Sequence, residues 1–257
     1  MAFFPTSDHG PLFAANLDST PNEPFGAPDW PATSEHLLIG GVSSGVYLDE
    51  LSPEIFPAPV SLLVGRYCRT TDEAVEMMTR YNYFWGPCNQ IVVDRAGEVA
   101  LIEKSSCRMG VRRKSGVPAF ITAMTAEDPD MHAYLADRRA ASLEYRGLPD
   151  PCGDTRYWDI QDTRRAVMNR LIAEAAENPT LDGLRAMMQY RGEDGMVCDN
   201  GDVPFPGDPP IEYTLRTHIV CLAEARALWW ARDKERDIPS WENRQEDVHF
   251  EDVLLWE

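Results

Sequence analysis

The chain has no C-x-x-C pair and no H-x-x-x-H spacing. Cys68, Cys88, Cys107, Cys152, Cys198 and Cys221 lie far apart, and His9, His36, His132, His218 and His249 are scattered. A zinc or iron–sulfur centre needs clustered soft ligands, so no metal is expected. Also missing are a secretory leader and any apolar run long enough to span a bilayer, which predicts reduced thiols, a cytoplasmic protein and no membrane partner. Basic charge is scarce: 24 Lys and Arg stand against 42 Asp and Glu, a net −18. Such a surface repels a phosphate backbone or an anionic lipid face, so nucleic acid is excluded as a partner. There is no internal repeat and no low-complexity tract. With 257 residues, 44% of them hydrophobic, the chain is long enough for a large core, and one domain over 1–257 is expected.

The pattern along the chain alternates between strands and helices. Pro5, Pro11, Pro21, Pro24, Pro28 and Pro31 forbid helix near the start and predict a strand with an ordered loop. Leu37 to Leu48, broken by Gly40-Gly41 and Ser43-Ser44-Gly45, reads as a strand pair or a bulged strand. Helices are predicted over Val60–Cys68 and Thr71–Asn82, the second with a threonine cap and early acids. Strands at Gln90–Asp94, Val99–Glu103, Cys107–Arg113 and Ala119–Thr122 read as one antiparallel meander. Helices return at Met131–Tyr145, at Asp162–Glu177, with Ala166, Met168, Leu171, Ile172 and Ala175 on one face, and at Leu181–Tyr190. The Met187-Met188 pair reads as core filling. Gly192–Pro210 reads as a lid or exposed loop, Thr214–Ala223 and Ala225–Ala231 as strands, and Arg232–Glu257 as a charged tail.

The strongest local signal is Gly86-Pro87-Cys88-Asn89-Gln90-Ile91-Val92-Val93-Asp94-Arg95-Ala96-Gly97-Glu98-Val99-Ala100-Leu101-Ile102-Glu103, two apolar runs joined by a turn with glycine. Upstream lie Gly10-Pro11-Leu12-Phe13-Ala14-Ala15-Asn16-Leu17-Asp18, Gly41-Val42-Ser43-Ser44-Gly45-Val46 and Cys68-Arg69-Thr70-Thr71-Asp72-Glu73-Ala74; downstream come Cys198 and Thr214-Leu215-Arg216. In order and separation these pieces resemble the acyl-CoA:6-aminopenicillanic acid acyltransferase-like group of linear amide hydrolases. Those are relatives of choloylglycine hydrolase among the N-terminal-nucleophile hydrolases. The resemblance implies an α+β fold, a four-layer αββα sandwich of antiparallel sheets between helical layers.

It also implies a nucleophilic cysteine exposed as the first residue, whose own α-amine, with a pKa near ~8, serves as general base. Counting back from Asp18 by the family's spacing puts that cysteine at Met1 or just ahead of it, and the chain has none there. Either a cysteine precedes Met1 or the nucleophile is lost. Other polar positions differ as well: Ala15 stands where some relatives carry arginine, Ser43-Ser44 where the turn often bears asparagine, and Thr122-Ala123 or Thr125-Ala126 where a Thr-Asn step is expected. Serine still donates a hydrogen bond, so Ser43 or Ser44 substitutes in part.

By this resemblance Asp18, Asn89 and Arg216 are the candidate catalytic residues, and Ser43, Ser44 and Thr122 line the substrate side. Each has a bland alternative: Asp18 as a turn cap, Arg216 as a solvent-facing strand arginine, Asn89 as a backbone-bonding asparagine. Cys88 reads as a structural thiol with no neighbouring cation to activate it. Thr6 and Ser7 lie too close to Asp18 to be the nucleophile, His9-Gly10 reads as a turn, and His218 as a structural strand histidine. Tyr81-Asn82-Tyr83-Phe84-Trp85 is read as core filling ahead of an acyl pocket. The expected function is a linear amide hydrolase or acyltransferase acting on a small-molecule amide or thioester without a cofactor, with self-association left open. The alternative is an inactive member of the same fold that binds a small molecule or assembles with a partner.

Overall fold

The hairpin centred on Asp94 to Gly97 forms where its sequence predicts it. Strand β5 (Cys88–Asp94) pairs antiparallel with β6 (Glu98–Lys104), and Gly97 takes φ +81° at the turn, a left-handed conformation that glycine adopts without a Cβ penalty. The computed structural model describes residues 1–19, 32–33, 36–43, 60–82, 88–122, 125–145, 156–198, 213–224, 226–231 and 248–249. These fall into two units, residues 1–28, 117–120 and 156–253 in one and 29–116, 121–155 and 254–257 in the other.

The unit holding the hairpin has a five-stranded antiparallel sheet in the order β3-β4-β5-β6-β7, with β3 at Ala32–Thr33, β4 at Leu37–Ser43 and β7 at Met109–Ser115. One face buries Leu37, Ile39, Val92, Ala100 and Ile102 against Val64 and Cys68, at α1 (Val60–Tyr67), and Ala74 and Met78 of α2 (Thr71–Arg80). Strand alternation brings these apolar side chains to one side, and the i, i+4 spacing of Ala74 and Met78 meets them. Asp94 is the hinge of this arrangement. Its Oδ2 accepts from the Thr71 N–H at 3.0 Å and from the Thr71 hydroxyl, and its Oδ1 accepts from the N–H groups of Ala96 and Glu98 at 3.0 and 3.1 Å. One buried carboxylate thus closes the hairpin turn and satisfies the start of α2, whose N-cap Thr70 accepts from Glu73 N–H.

The opposite face of this sheet carries Asn89, Glu103 and Gly110 side by side on β5, β6 and β7. Residues 122, 125, 127 and 128 are fastened to these positions, with α3 (Pro129–Tyr145) following them. Asn89 Nδ2 donates to the carbonyls of Thr122 and Thr125 at 2.8 and 2.7 Å. Glu103 accepts from the N–H groups of Glu127 and Asp128 at 2.9 and 2.8 Å and from Arg112, which also reaches Glu127. Gly110 is required there, since a Cβ would lie 2.5 Å from Asp128 Cγ and 2.7 Å from Met131 Cγ.

The second unit has a six-stranded antiparallel sheet in the order β13-β12-β11-β2-β1-β8. Its strands are β1 (Ala2–Phe4), β2 (Leu12–Ser19), β8 (Ala119–Phe120), β11 (Tyr213–Cys221), β12 (Arg226–Ala231) and β13 (Val248–His249). Leu12, Ala14, Ile219, Cys221 and Leu228 on one face form a core with Val167, Met168, Leu171 and Ile172 of α4 (Arg156–Ala175) and Leu184, Met187 and Met188 of α5 (Leu181–Met188). A short ribbon, β9 (Arg191–Gly192) with β10 (Gly195–Met196), follows α5.

Several expectations change. The strand at Ala119–Phe120 does not continue the meander: it leaves that sheet and pairs with β1, because the turn at Gly116 (φ +65°) redirects the chain. In α4 the buried face runs through Val167, while Ala166 is exposed, a one-residue rotation that small alanine hides from periodicity. The first region holds two strands, and Tyr81 is exposed and not in the core. Met187 and Met188 are buried core residues, as read from the sequence. The second half of Leu37–Leu48, Tyr83–Trp85, most of the lid segment from residue 199 and most of the tail lie outside the described residues.

Asp94→Ala is expected to lower stability by about 2–3 kcal/mol in chemical denaturation, because the buried Thr71 N–H loses its acceptor as the turn opens. Gly110→Ala is expected to cost about 1–3 kcal/mol by overpacking. Midpoints unchanged from the parent would contradict both.

Candidate active site

Strands β1 and β2 form a hairpin whose turn is built by Ser7, His9 and Gly10. The Ser7 hydroxyl accepts from His9 N–H and donates to the Gly10 carbonyl, and Gly10 sits at φ +73° with Ala223 too close to admit a Cβ. His9 Nδ1 meets Glu224 Oε1 at 2.5 Å, which ties this turn to the one after β11. The His9-Gly10 pair is therefore a turn element.

The hairpin register sets Ala2 opposite Ala14 and places Met1 at the head of β1. Along β2, alternation puts Asn16 and Asp18 on the face that packs against α4 and α5. Asn16 is fully occupied: its Nδ2 donates to the carbonyls of Met188 and Val197, and its Oδ1 accepts from the Thr217 hydroxyl. Asp18 continues the row. Its Oδ1 accepts from the Thr214 hydroxyl at 2.5 Å and its Oδ2 faces Arg164 Nη1 at 3.2 Å. The β11 register shifts between Thr214 and Arg216, so the bulge returns Thr214 to the same face as Thr217 and within reach of Asp18.

Met1 is buried, and its α-amine feels both Asp18 and Arg164. Burial pulls the amine down from 8.0 to about 5; Asp18 opposes this and Arg164 adds to it. The Met1 side chain is a thioether, which has no proton to give and makes no thiolate.

Of the sequence-predicted residues, Asp18 alone takes part in this cluster. Arg216 lies on the other face of β11, opposite Leu17 in the register, next to His218. Burial, helped by Arg216, drives the His218 imidazole down to about 4, so it is neutral at pH 7. Asn89 and Thr122 meet in the other unit. Both amide hydrogens of Asn89 are spent on carbonyls, so its amide orientation is fixed by its partners, and the Thr122 hydroxyl contacts that of Thr125. Ser43 ends β4 opposite Cys88 in the backbone register, and Ser44 lies outside the described residues. Cys88 does have a cation near it, contrary to the sequence reading: the buried Lys104 stands across from it on β6. Burial nonetheless pushes the thiol up to about 11, with Lys104 pulling against it. Cys88 is an inert thiol.

Sequence reasoning missed Arg164. The signal was present: Arg164 sits four residues before Met168 and seven before Leu171, on the buried stripe of α4, where a guanidinium must find a partner. Among the described residues no group of three or more His, Cys, Asp and Glu side chains is gathered to hold a metal ion, and no helix is long and apolar enough to cross a membrane.

No family model matches the chain, and no curated protein matches it by sequence. Solved structures do resemble it. Two variants of the conjugated bile acid hydrolase from Clostridium perfringens superpose with TM-scores of 0.57 and 0.59 at 11% and 12% identity. Each alignment covers 98% of this chain, and 92% and 93% of the hydrolase chain. Penicillin V acylase from Agrobacterium tumefaciens, at TM-score 0.46 and 12% identity over 90% of this chain and 83% of its own, is too loose a match to bear on the fold. The fold is thus α+β of the N-terminal-nucleophile hydrolase type, the class described as a four-layer αββα sandwich.

The lowered His218 gives stability a defined acid dependence. Its unfolded form binds a proton below about pH 6.5 while the folded form resists until about pH 4, so the folded state is favoured above that window and loses stability as pH falls through it. His218→Gln is expected to remove about 2–3 kcal/mol of the parent's stability loss between pH 7 and 4 in denaturation series. An unchanged slope would mean that His218 is not held neutral.

Proposed function

We propose that this chain is a linear amide (C–N) hydrolase or acyltransferase that works through an acyl-enzyme on an N-terminal cysteine expected just upstream of Met1. The observation that supports it best is the cluster of Asp18, Thr214 and Arg164 at the strand beside the head of β1, in a fold shared with a bile acid hydrolase. In this reading the amine takes the thiol proton and the thiolate attacks the carbonyl carbon of a small-molecule amide or thioester. Hydrogen-bond donors hold the oxyanion while the ammonium returns its proton to the leaving amine or thiol. Water or an amine then attacks the thioester, losing its proton to the same α-amine as the thiolate departs. Asp18 orients the amine. Asn89 and Arg216 are the further catalytic candidates, and Ser43, Ser44 and Thr122 the candidates for the substrate side. No cofactor is needed.

A second reading has its own support. Met1, which has no thiol, is buried at the head of β1, which supports an inactive member of the same fold that serves as a small-molecule binding or assembly protein.

The parent chain is expected to show no turnover of acyl-amides or thioesters. Two gain-of-thiol forms, Met1→Cys with a free α-amine and a form with one cysteine added ahead of Met1, are incubated with a p-nitrophenyl acyl ester. At least one is expected to gain the mass of the acyl group, and Asp18→Asn in that form is expected to slow acylation by about 10²-fold or more with little change in thermal midpoint. Folded cysteine forms that take up no acyl group favour the second reading. Turnover by the parent that survives Cys88→Ala would show that a different nucleophile operates.

A further inference from the structure

Both amide hydrogens of Asn16 go to carbonyls at the two feet of one ribbon. Nδ2 donates at 2.7 Å to Met188, the last residue of α5, and at 3.3 Å to Val197, which follows β10. The Thr217 hydroxyl donates to Oδ1 at 2.8 Å, which fixes the orientation of the amide and aims its two N–H groups at those carbonyls. The Met188 carbonyl belongs to the set that a helix leaves without an internal partner at its C-terminus, and here a donor from β2 meets it. Between its feet the ribbon is closed by its own bonds. The N–H groups of Val197 and Cys198 donate to the Tyr190 carbonyl, and the Tyr190 hydroxyl donates to Asp194. Gly195, at φ +132°, seats the ribbon on α4, where a Cβ would lie 2.7 Å from Thr163 Cγ2. Residues 192–198, the start of the segment that its glycines and prolines mark as a lid or loop, are therefore pinned. Asn16 stands one pleat from Asp18 on the same face of β2, about 7 Å along the strand.

We propose that Asn16 is a positioning residue that holds both feet of the ribbon one pleat from Asp18 and so makes residues 189–197 a fixed wall of the substrate site. Packing of Met188 and Val197 in the core seats the feet, and the amide sets their register against β2. A wall held in this way governs how tightly an acyl group is bound, whereas Asp18 governs the reacting groups. The inference rests on the amide hydrolase reading for its purpose; the pinning itself rests on the three bonds of Asn16.

The test uses the full chain as parent, Asn16→Asp and Thr217→Val. Hydrogen exchange is followed by the mass of the peptide that contains Val197 and Cys198. Asn16→Asp keeps the shape but turns two donors into an acceptor facing two carbonyls, and is expected to speed exchange there about tenfold or more. Thr217→Val keeps the donors but loses what orients them, so a smaller change in the same direction is expected. Exchange in β5 and β6 is expected to stay as in the parent for both. In the cysteine form that takes up the acyl group, Asn16→Asp is expected to raise the p-nitrophenyl ester concentration for half-maximal acylation about tenfold, with the limiting rate within about threefold. Asp18→Asn is expected to show the reverse split. Unchanged ribbon exchange in folded Asn16→Asp overturns the proposal, and so does faster exchange with an unmoved half-maximal concentration. If Asn16→Asp does not fold, Thr217→Val decides by the same two readouts. No acyl uptake by any cysteine form that keeps Asn16 overturns the hydrolase reading, and the role of Asn16 in a reaction falls with it.

Discussion

The carboxylate of Asp18 is the point at which β2, β11, α4 and the head of β1 meet. Thr214 donates to one oxygen, Arg164 approaches the other, and the first residue's amine lies in their field. Burying a carboxylate and a guanidinium is costly unless each finds its partner, so this arrangement holds only while all of these elements are in register. The bulge in β11 is what lets Thr214 join, and the Asn16 bonds to the Met188 and Val197 carbonyls hold the row one pleat earlier. Three elements that converge on one half-buried carboxylate hold the head of β1 in a fixed place.

The other unit uses the same physics for a different end. Asp94 joins a turn to a helix start, and Asn89 and Glu103 hold segment 121–128 through backbone groups of Thr122, Thr125, Glu127 and Asp128. These buried polar side chains are committed to backbone partners, which ties the described residues of that segment to the sheet. Asn89 illustrates how one residue type supports two readings: its motif suggested a catalytic residue or a backbone-bonding asparagine, and its two N–H bonds go to backbone carbonyls. A donor so committed contributes by shaping the segment it holds.

Much of the fold was legible because local signals agreed with one another. The hairpin at Asp94–Gly97, the Thr70 cap before α2 and the methionine pair in α5 are short-range patterns, read without knowing what they pack against. The departure of Ala119–Phe120 to another sheet was not legible, since sheet membership is decided by pairing with residues more than a hundred positions away. Asp18 was legible through its motif. Thr214 was quoted within its motif but not tied to Asp18, and Arg164 was visible only as an arginine on an apolar stripe, whose meaning comes from the carboxylate it meets. Lys104 was hidden for the same reason: a lysine near a strand end reads as solvated, and nothing in its neighbours announces that it is buried opposite Cys88.

The account turns on what heads the first strand. The most direct measurement is the N-terminal sequence and intact mass of the protein isolated from its natural source, before and after exposure to a thiol-selective reagent at low pH, where only unusually reactive thiols respond. The account predicts a cysteine as the mature first residue, ahead of Met1, and a single labelled site mapping to it. A mature chain that begins at Met1 or Ala2, with no terminal thiol to label, would contradict it.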